Sequence, residues 1–409
     1  MSATASLADV LPAEALTRQG ASDALLELAS TAEAVVRPQS TAEVAETLGW
    51  ASANAVGVLP VGSGEHRMRR TLEGRFIVLA TDRLTGLEIY EPADVTLTAK
   101  AGTRLGDLNE ALGAHRQWLP FDPPSVPSRT IGGLVATGES GPVATGYGEL
   151  RNHVLGATVV CGDGRVLRLG GRVVKNVAGF DLLRPMVGSR GRLGVITSVC
   201  LRAFPSPAVD RLLVVRSGDI AGLRDLSRAV CTAPISPASC VVWAPAGSLG
   251  GGAALLVRLH GALPTVDADQ VTLERHAGVV FEQLGDAKAA LAEIRDHAAG
   301  GAVELRISLL PSRLFDGLAA ALDRLGDFAV AADAYSGSAR LAASDVGVEA
   351  IELLRGDVEA LGGALTVFAG GVELRGPDLG SRPTPEELEL AGRLEKVFDP
   401  SGVFWPCRA

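Results

Sequence analysis

Aromatic side chains are scarce in this sequence, and so is lysine. Phe, Trp and Tyr make up 4% of 409 residues, and Lys100, Lys175, Lys288 and Lys396 are the only lysines. With so few rings there is no stacking platform for single-stranded nucleic acid. The net charge of −9 excludes the basic face that a phosphate backbone requires. Cysteine is sparse too: Cys161, Cys200, Cys231, Cys240 and Cys407 stand far apart with no C-x-x-C among them. Iron–sulfur clusters need closely spaced thiolates, so none is expected in this chain, and an odd, unpatterned count suits a reducing compartment. Apolar runs are short or broken by charge, which leaves no stretch of the ~20 residues that a bilayer span needs. The first ten residues lack the basic start and apolar core of a signal peptide. A cytoplasmic protein is expected, one that could still sit at the inner face of a membrane through a complex.

Glycine is abundant. Its 49 residues cluster without a repeat, which points to close backbone approach to a ligand. Residues 1–33 read as a weakly specified helical leader. A strand from Val35 then feeds a helix capped by Ser40 or Thr41, with Val44, Leu48 and Ala51 on one face. The buried strand Val56–Val61 ends in Gly62-Ser63-Gly64-Glu65-His66. Successive backbone N–H groups in such a turn can form an anion-binding concavity, although an ordinary tight turn reads the same way. Strands at Arg75–Ala80 and Thr96–Ala99 and a helix at Leu105–Leu112 follow. Next comes a long Pro- and Gly-rich loop, Leu119–Gly148, with Thr130-Ile131-Gly132-Gly133 and Thr137-Gly138-Glu139-Ser140-Gly141 inside it; loops of this length are usually functional. A hairpin (Leu155–Cys161, Arg165–Leu169) turns at Gly162-Asp163-Gly164 through positive φ angles. A strand at Leu193–Phe204 closes the first unit near Pro207.

The second half alternates strands and helices from Ala254 to Ala369, including a helix at Val266–Leu284 and another at Ala287–His297. This order predicts an antiparallel sheet with helices on one face. Thr384-Pro385-Glu386-Glu387 is a capping box opening a last helix that stops at Asp399-Pro400. The expected divisions are 1–33, 34–207, 208–380 and 381–409.

Val35–Pro207 resembles, in motif order, the FAD-binding domain of the vanillyl-alcohol oxidase type. The resemblance rests on the Gly-rich turn, Thr-Ile-Gly-Gly, Tyr147-Gly148 and Gly191-Arg192-Leu193-Gly194-Val195-Ile196-Thr197. Val173–Leu182 and Phe398–Phe404 are similar to the FAD-binding subunit of bacterial glycolate oxidase. The resemblance implies an α+β fold: a domain of two α+β subdomains, an α+β cap with an antiparallel sheet, and a C-terminal helix returning to the flavin domain. It also implies non-covalent FAD. By matching position, Gly62, Ser63, Gly64, Glu65 and His66 would meet the diphosphate. Thr130, Ile131, Gly132 and Gly133 would flank the diphosphate and ring, and Thr137, Gly138 and Gly141 would continue that wall. Gly191, Val195 and Ile196 would hold the adenine side, while Trp405 and Arg408 would return toward the flavin. Lys175 and Asn176 are the candidate polar groups near the ring, with a plain surface role as the alternative for Lys175.

Phe180, Arg192, Trp405 and Cys407 depart from the family pattern. Relatives that oxidise 2-hydroxy acids themselves carry a paired-histidine metal site, and His260, His276 and His297 show no such spacing; no metal is expected. The resemblance therefore implies an FAD subunit of a glycolate-oxidase-like complex. Its partners would be a second FAD subunit bearing the hydroxy-acid site and an iron–sulfur subunit. A stand-alone dehydrogenase of an unknown alcohol or hydroxy acid, or a structural subunit with a decayed flavin site, remain the alternatives.

Overall fold

The computed structural model describes residues 6–16, 21, 30, 32–64, 74–171, 181–246, 252–297, 301–344, 346–370 and 383–404. Three strands form the first sheet: β1 (Ala34–Val36), β2 (Gly57–Val61) and β3 (Phe76–Ala80), in parallel order β1-β3-β2. β3 reads Phe-Ile-Val-Leu-Ala because both its faces are covered, as parallel strands require. Ile77 and Leu79 pack under helix Thr41–Asn54 through Val44, Leu48 and Ala51, while Phe76, Val78 and Ala80 face the other side. Ser40 caps that helix by accepting from Glu43 N–H at 3.2 Å.

The second sheet is antiparallel: β4 (Leu87–Glu91), β5 (Thr96–Lys100), β7 (Val154–Val160), β8 (Val166–Gly170) and β9 (Val195–Arg202), ordered β4-β5-β9-β7-β8. A short ribbon pairs β6 (Gln117–Trp118) with β10 (Phe204–Pro205). In the β7–β8 turn only Gly164 has a positive φ, +86°. Gly162 is small for another reason: a Cβ there would overlap the Asp399 carboxylate.

The third sheet is antiparallel throughout. Its strands are β11 (Val209–Ser217), β12 (Ser239–Ala244), β13 (Ala253–Gly261), β14 (Glu282–Leu284), β15 (Val303–Ser308), β16 (Ala329–Asp333), β17 (Ser338–Ala343) and β18 (Ala364–Ala369), ordered β14-β11-β13-β12-β16-β17-β15-β18. Split at the β12·β16 seam, each half is a β-α-β-β-α-β unit with its strands in the order fourth, first, third, second from its outer edge. Helices Leu223–Thr232 and Leu263–Ala277 serve the first unit; Leu314–Leu325 and Val348–Ala360 serve the second. These four helices pack on one sheet face against a continuous apolar core.

Four expectations need correction. β11 and β12 lie ahead of the first strand expected in this half. The helix expected at Val266–Leu284 runs from Leu263 to Ala277, stops at Gly278 in the left-handed conformation (φ +70°), and gives way to β14. Not all helices share one face: Ala287–His297 lies on the opposite side, where Leu291 and Ile294 cover Leu212, Val214, Val241, Ala254 and Leu256. Within the long loop, Ile131–Thr137 and Ala144–Tyr147 are helical.

The last helix, Pro385–Phe398, has the expected capping box, with Thr384 and Glu387 bonding reciprocally. Beyond it the Asp399 carboxylate accepts from Val403 and Phe404 N–H, each at 2.9 Å. Val58 N–H donates to Val403 C=O at 2.7 Å, so the chain end adds to the free edge of β2.

Candidate functional site

Two Gly-rich segments meet where β2 ends. Thr130 caps helix Ile131–Thr137, its hydroxyl accepting from Gly133 N–H at 3.3 Å. A Cβ at Gly62 would overlap that hydroxyl, so the first residue after β2 must be glycine for the two segments to touch. Gly132 N–H donates to Ala101 C=O at 2.8 Å, and a Cβ at Gly132 would stand 2.6 Å from that of Ala101. Gly191 lies against Pro60 of β2. Arg190 N–H donates to Ala136 C=O at 2.7 Å and Gly188 N–H to Val135 C=O at 2.9 Å. Gly62, Thr130 to Gly133, and Gly191 thus converge from three distant stretches on one end of the parallel sheet.

Other candidates are placed less pointedly. The Thr137 hydroxyl donates to Leu134 C=O at 3.2 Å within its own helix. Gly138 is the left-handed residue that ends the helix, and Gly141 abuts Asp122. Val195 and Ile196 are buried at the start of β9, Val195 in the same core as Val403 and Phe404. Arg192 is ion-paired with Glu395 on the last helix, its Nε donating to Oε1 at 2.9 Å. Glu65, His66, Lys175, Asn176, Trp405 and Arg408, with Phe180 and Cys407, lie outside the described residues.

The wall continued by Gly138 and Gly141 opens on a cleft of about 150 Å³ between the loop and the eight-stranded sheet. Along β15 to β18 the sequence alternates: Leu305, Ile307, Val330, Ala332, Leu341 and Val367 enter the helix-covered core, so Glu304, Arg306, Asp333, Arg340 and Phe368 point the other way. Glu139, between the two glycines of the loop, is buried and ion-paired with both Arg129 and Arg340. Arg340 also stands 3.5 Å from Glu304. The guanidinium carbons of Arg306 and Arg340 each lie 5.1 Å from the Phe368 ring centre, and that of Arg190 lies 5.7 Å away, within cation–π range. The Arg306 Nε is buried with no hydrogen-bond partner. Burial, with Arg190 and Arg340 nearby, lowers its pKa. Glu139 and Glu149 act the other way and offset this only in part.

The opposite end of the cleft is acidic. Asp333 accepts from the Thr145 hydroxyl (3.1 Å), Tyr335 N–H (2.9 Å) and the Ser336 hydroxyl (2.9 Å). Asp122 accepts from Val143 N–H at 3.0 Å. Behind them Arg258 holds Asp210 in a two-pronged bond (2.8 and 2.7 Å). His260, far from isolated, bonds Tyr147 at 2.9 Å and Asp210 at 3.2 Å. Among the described residues no cluster of His, Cys, Asp or Glu fits a metal ion.

The sequence pattern of the family described as FAD binding domain matches residues 32–170. Over 424 aligned positions, spanning 94% of the chain and 90% of the relative, the chain is 26% identical to glycolate oxidase subunit GlcD of Bacillus subtilis. It is 44% identical over 123 residues to glycolate oxidase subunit GlcE of Escherichia coli, 30% of this chain and 35% of that one. With D-lactate dehydrogenase of Archaeoglobus fulgidus it shares 38% identity over 175 residues, 42% of this chain and 38% of that one. These two matches therefore span little more than a third of each relative. In structure the chain is similar to p-cresol methylhydroxylase (TM-score 0.72, 16% identity, 92% of this chain and 88% of that one), which shows a shared fold. The chain carries an FAD binding domain and is an FAD-dependent oxidoreductase.

Proposed function

We propose that this flavoprotein is a subunit of a glycolate-oxidase-like complex that oxidises small 2-hydroxy acids, glycolate to glyoxylate among them. The observation that carries the substrate class is Arg306. A buried guanidinium nitrogen without a partner is costly, and a substrate carboxylate in the cleft supplies the missing acceptor and a balancing charge. Similarity to GlcD along nearly the whole chain, and to GlcE over a shorter stretch, supports the same reading.

The convergence at β2 fits a dinucleotide, because the tight approach at Gly62 and Gly132 leaves backbone rather than side chain facing the ligand. In this reading Gly62, Ser63, Gly64, Glu65 and His66 hold the FAD diphosphate. Thr130, Ile131, Gly132 and Gly133 hold the link to the ring, and Thr137, Gly138 and Gly141 line it. Gly191, Val195 and Ile196 hold the adenine side, with Trp405 and Arg408 closing from the C-terminus and Lys175 and Asn176 as polar groups near the ring. FAD, held without a covalent bond, supplies the two-electron acceptor. The protein contributes position: Glu139 ties the flavin-side loop to the sheet that carries Arg306, fixing the distance between carboxylate seat and ring.

The missing histidine pair points to a hydroxy-acid site on a second FAD subunit, and the cleft at Arg306 supplies a further one in this chain; that second subunit and an iron–sulfur subunit complete the complex and take the electrons onward. None of the described helices is long and apolar enough to cross a membrane; the proposed location is the cytoplasm, at the membrane's inner face through those partners.

Anaerobic mixing with glycolate, D-lactate and a neutral alcohol, following the flavin absorbance near 450 nm in the chain alone and with its partners, tests the proposal. Bleaching by the acids and not by the alcohol is expected. No bleaching in the assembled complex would sink the reading. Acid precipitation should leave the yellow colour in the supernatant.

A further inference from the structure

The cleft changes character from one strand to the next. Strand registers set Arg306 beside Arg340 and Arg340 beside Ala331, in one row across β15, β17 and β16. Arg306 and Ala331 therefore stand two strand spacings apart, about 10 Å. Ala331 packs against the cluster that contains Val241, Leu291 and Ile294. These four line the cleft together with Pro123 and Pro124. One side of the space thus carries the Arg306 guanidinium, and the other is a wall of hydrocarbon.

We propose that the acid received here carries an apolar side chain of about four to seven carbons, laid against Ala331, Val241, Leu291 and Ile294 while its carboxylate rests on Arg306. The proposal rests on the carboxylate seat inferred above and adds the group at C2. Glycolate has no side chain and lactate only a methyl, so neither reaches from Arg306 to Ala331. A space of about 150 Å³ admits a group the size of benzene. Each methylene moved from water onto the wall should tighten binding about fourfold.

The charged groups set into this wall have partners within the protein. Thr145, Tyr335 and Ser336 hold Asp333. Arg295 pairs with Asp296 at 3.1 Å, and Asp122 accepts from Val143 N–H at 3.0 Å. Burial is the largest influence on Asp122 and pushes its pKa up to about 7; the Val143 bond, Arg258 and Arg295 offset it only in part. That is the response of a carboxyl set among apolar groups. A second carboxylate on the ligand would meet Asp122 and Asp333 against Arg295 alone, so the wall favours a neutral tail over an acidic one.

Unreactive carboxylates measure this without turnover. Acetate, butanoate, 4-methylpentanoate and 3-phenylpropanoate lack the hydroxyl and differ only in the tail. Titration calorimetry on the FAD-loaded chain should show Kd falling about fourfold per added methylene from acetate to 4-methylpentanoate. Ala331→Leu fills the space beside Arg340 and should compress the whole series to within about twofold. A level series in the wild type, an unchanged gradient in Ala331→Leu, or glutarate binding more tightly than 4-methylpentanoate would overturn the proposal. If Ala331→Leu does not fold, Ile294→Ala replaces it: the wider space must move the tightest binding toward 3-phenylpropanoate, and an unmoved preference overturns the assignment. Binding that is weakened by Arg306→Met yet ignores tail length strikes only the apolar tail. Binding graded by tail length but indifferent to Arg306→Met strikes the carboxylate seat, and affinity for no member of the series strikes both.

Discussion

The two halves of the eight-stranded sheet share a topology and differ in what they do with one face. On the helix-packed side both are apolar and continuous. On the other side the first unit presents Leu212, Val214, Ala254 and Leu256, and helix Ala287–His297 closes over them. The second unit presents Glu304, Arg306, Asp333 and Arg340 at positions its own alternation makes equivalent, and a cleft remains open there. One unit has closed its second face by packing; the other leaves it charged and open. Burying that face in the second unit would have required neutralising four charged side chains.

Breaking the closed half should cost most. Leu291→Asp places a carboxylate between the helix and the apolar face, and a loss of about 4–5 kcal/mol is expected, read as a large fall in the thermal midpoint or as insoluble protein. Severing the open half from the flavin-side loop comes next. Glu139→Gln leaves Arg129 and Arg340 without their buried counter-charge at about 3 kcal/mol, visible as lower stability and weaker FAD retention on gel filtration. Making the open half resemble the closed one, by Arg306→Met, should raise the KM for glycolate roughly 30- to 100-fold, about 2–3 kcal/mol, with the flavin spectrum unchanged.

The smallest effect concerns pH. The folded-state pKa of Asp122 lies above its ordinary value of 3.8, at about 7. Its contribution to stability is therefore complete below pH 4 and is lost as pH rises through 7. Asp122→Asn should gain about 1–2 kcal/mol over wild type at pH 8 and little at pH 5, less than the full shift would give because solvent reaches a partly exposed carboxyl. Denaturant melts at the two pH values check the sign.

The same contrast explains what could be read in advance. Helix Thr41–Asn54, the β7–β8 hairpin and the Thr384 capping box announce themselves by local periodicity and capping chemistry. β11 and β12 do not: Leu212-Leu213-Val214 and Val241-Val242 are covered on both faces, so the period-two signal of a strand disappears. Ile131–Thr137 and Ala144–Tyr147 are too short to show a helical period, although Thr130 and Gly138 mark the ends of the first. The Gly-rich segments were legible as motifs because backbone approach demands particular residues. Arg306, Arg340, Asp122 and Glu139 were not, since each is an ordinary charge until the sheet gathers them. The alternation in Val303-Glu-Leu-Arg-Ile-Ser was the one available hint, and it specified an open face without saying what faced it.

The bond between Val58 and Val403 has a consequence for how the protein is made. Synthesis proceeds from the N-terminus, so β2 emerges with one edge unpaired while the whole cap is translated. An exposed parallel edge invites mispairing with other chains, and here its natural partner arrives some 345 residues later. The nascent domain is thus left waiting for the segment that covers this edge, and a ribosome that stalls within the cap releases a chain with the edge of β2 unpaired.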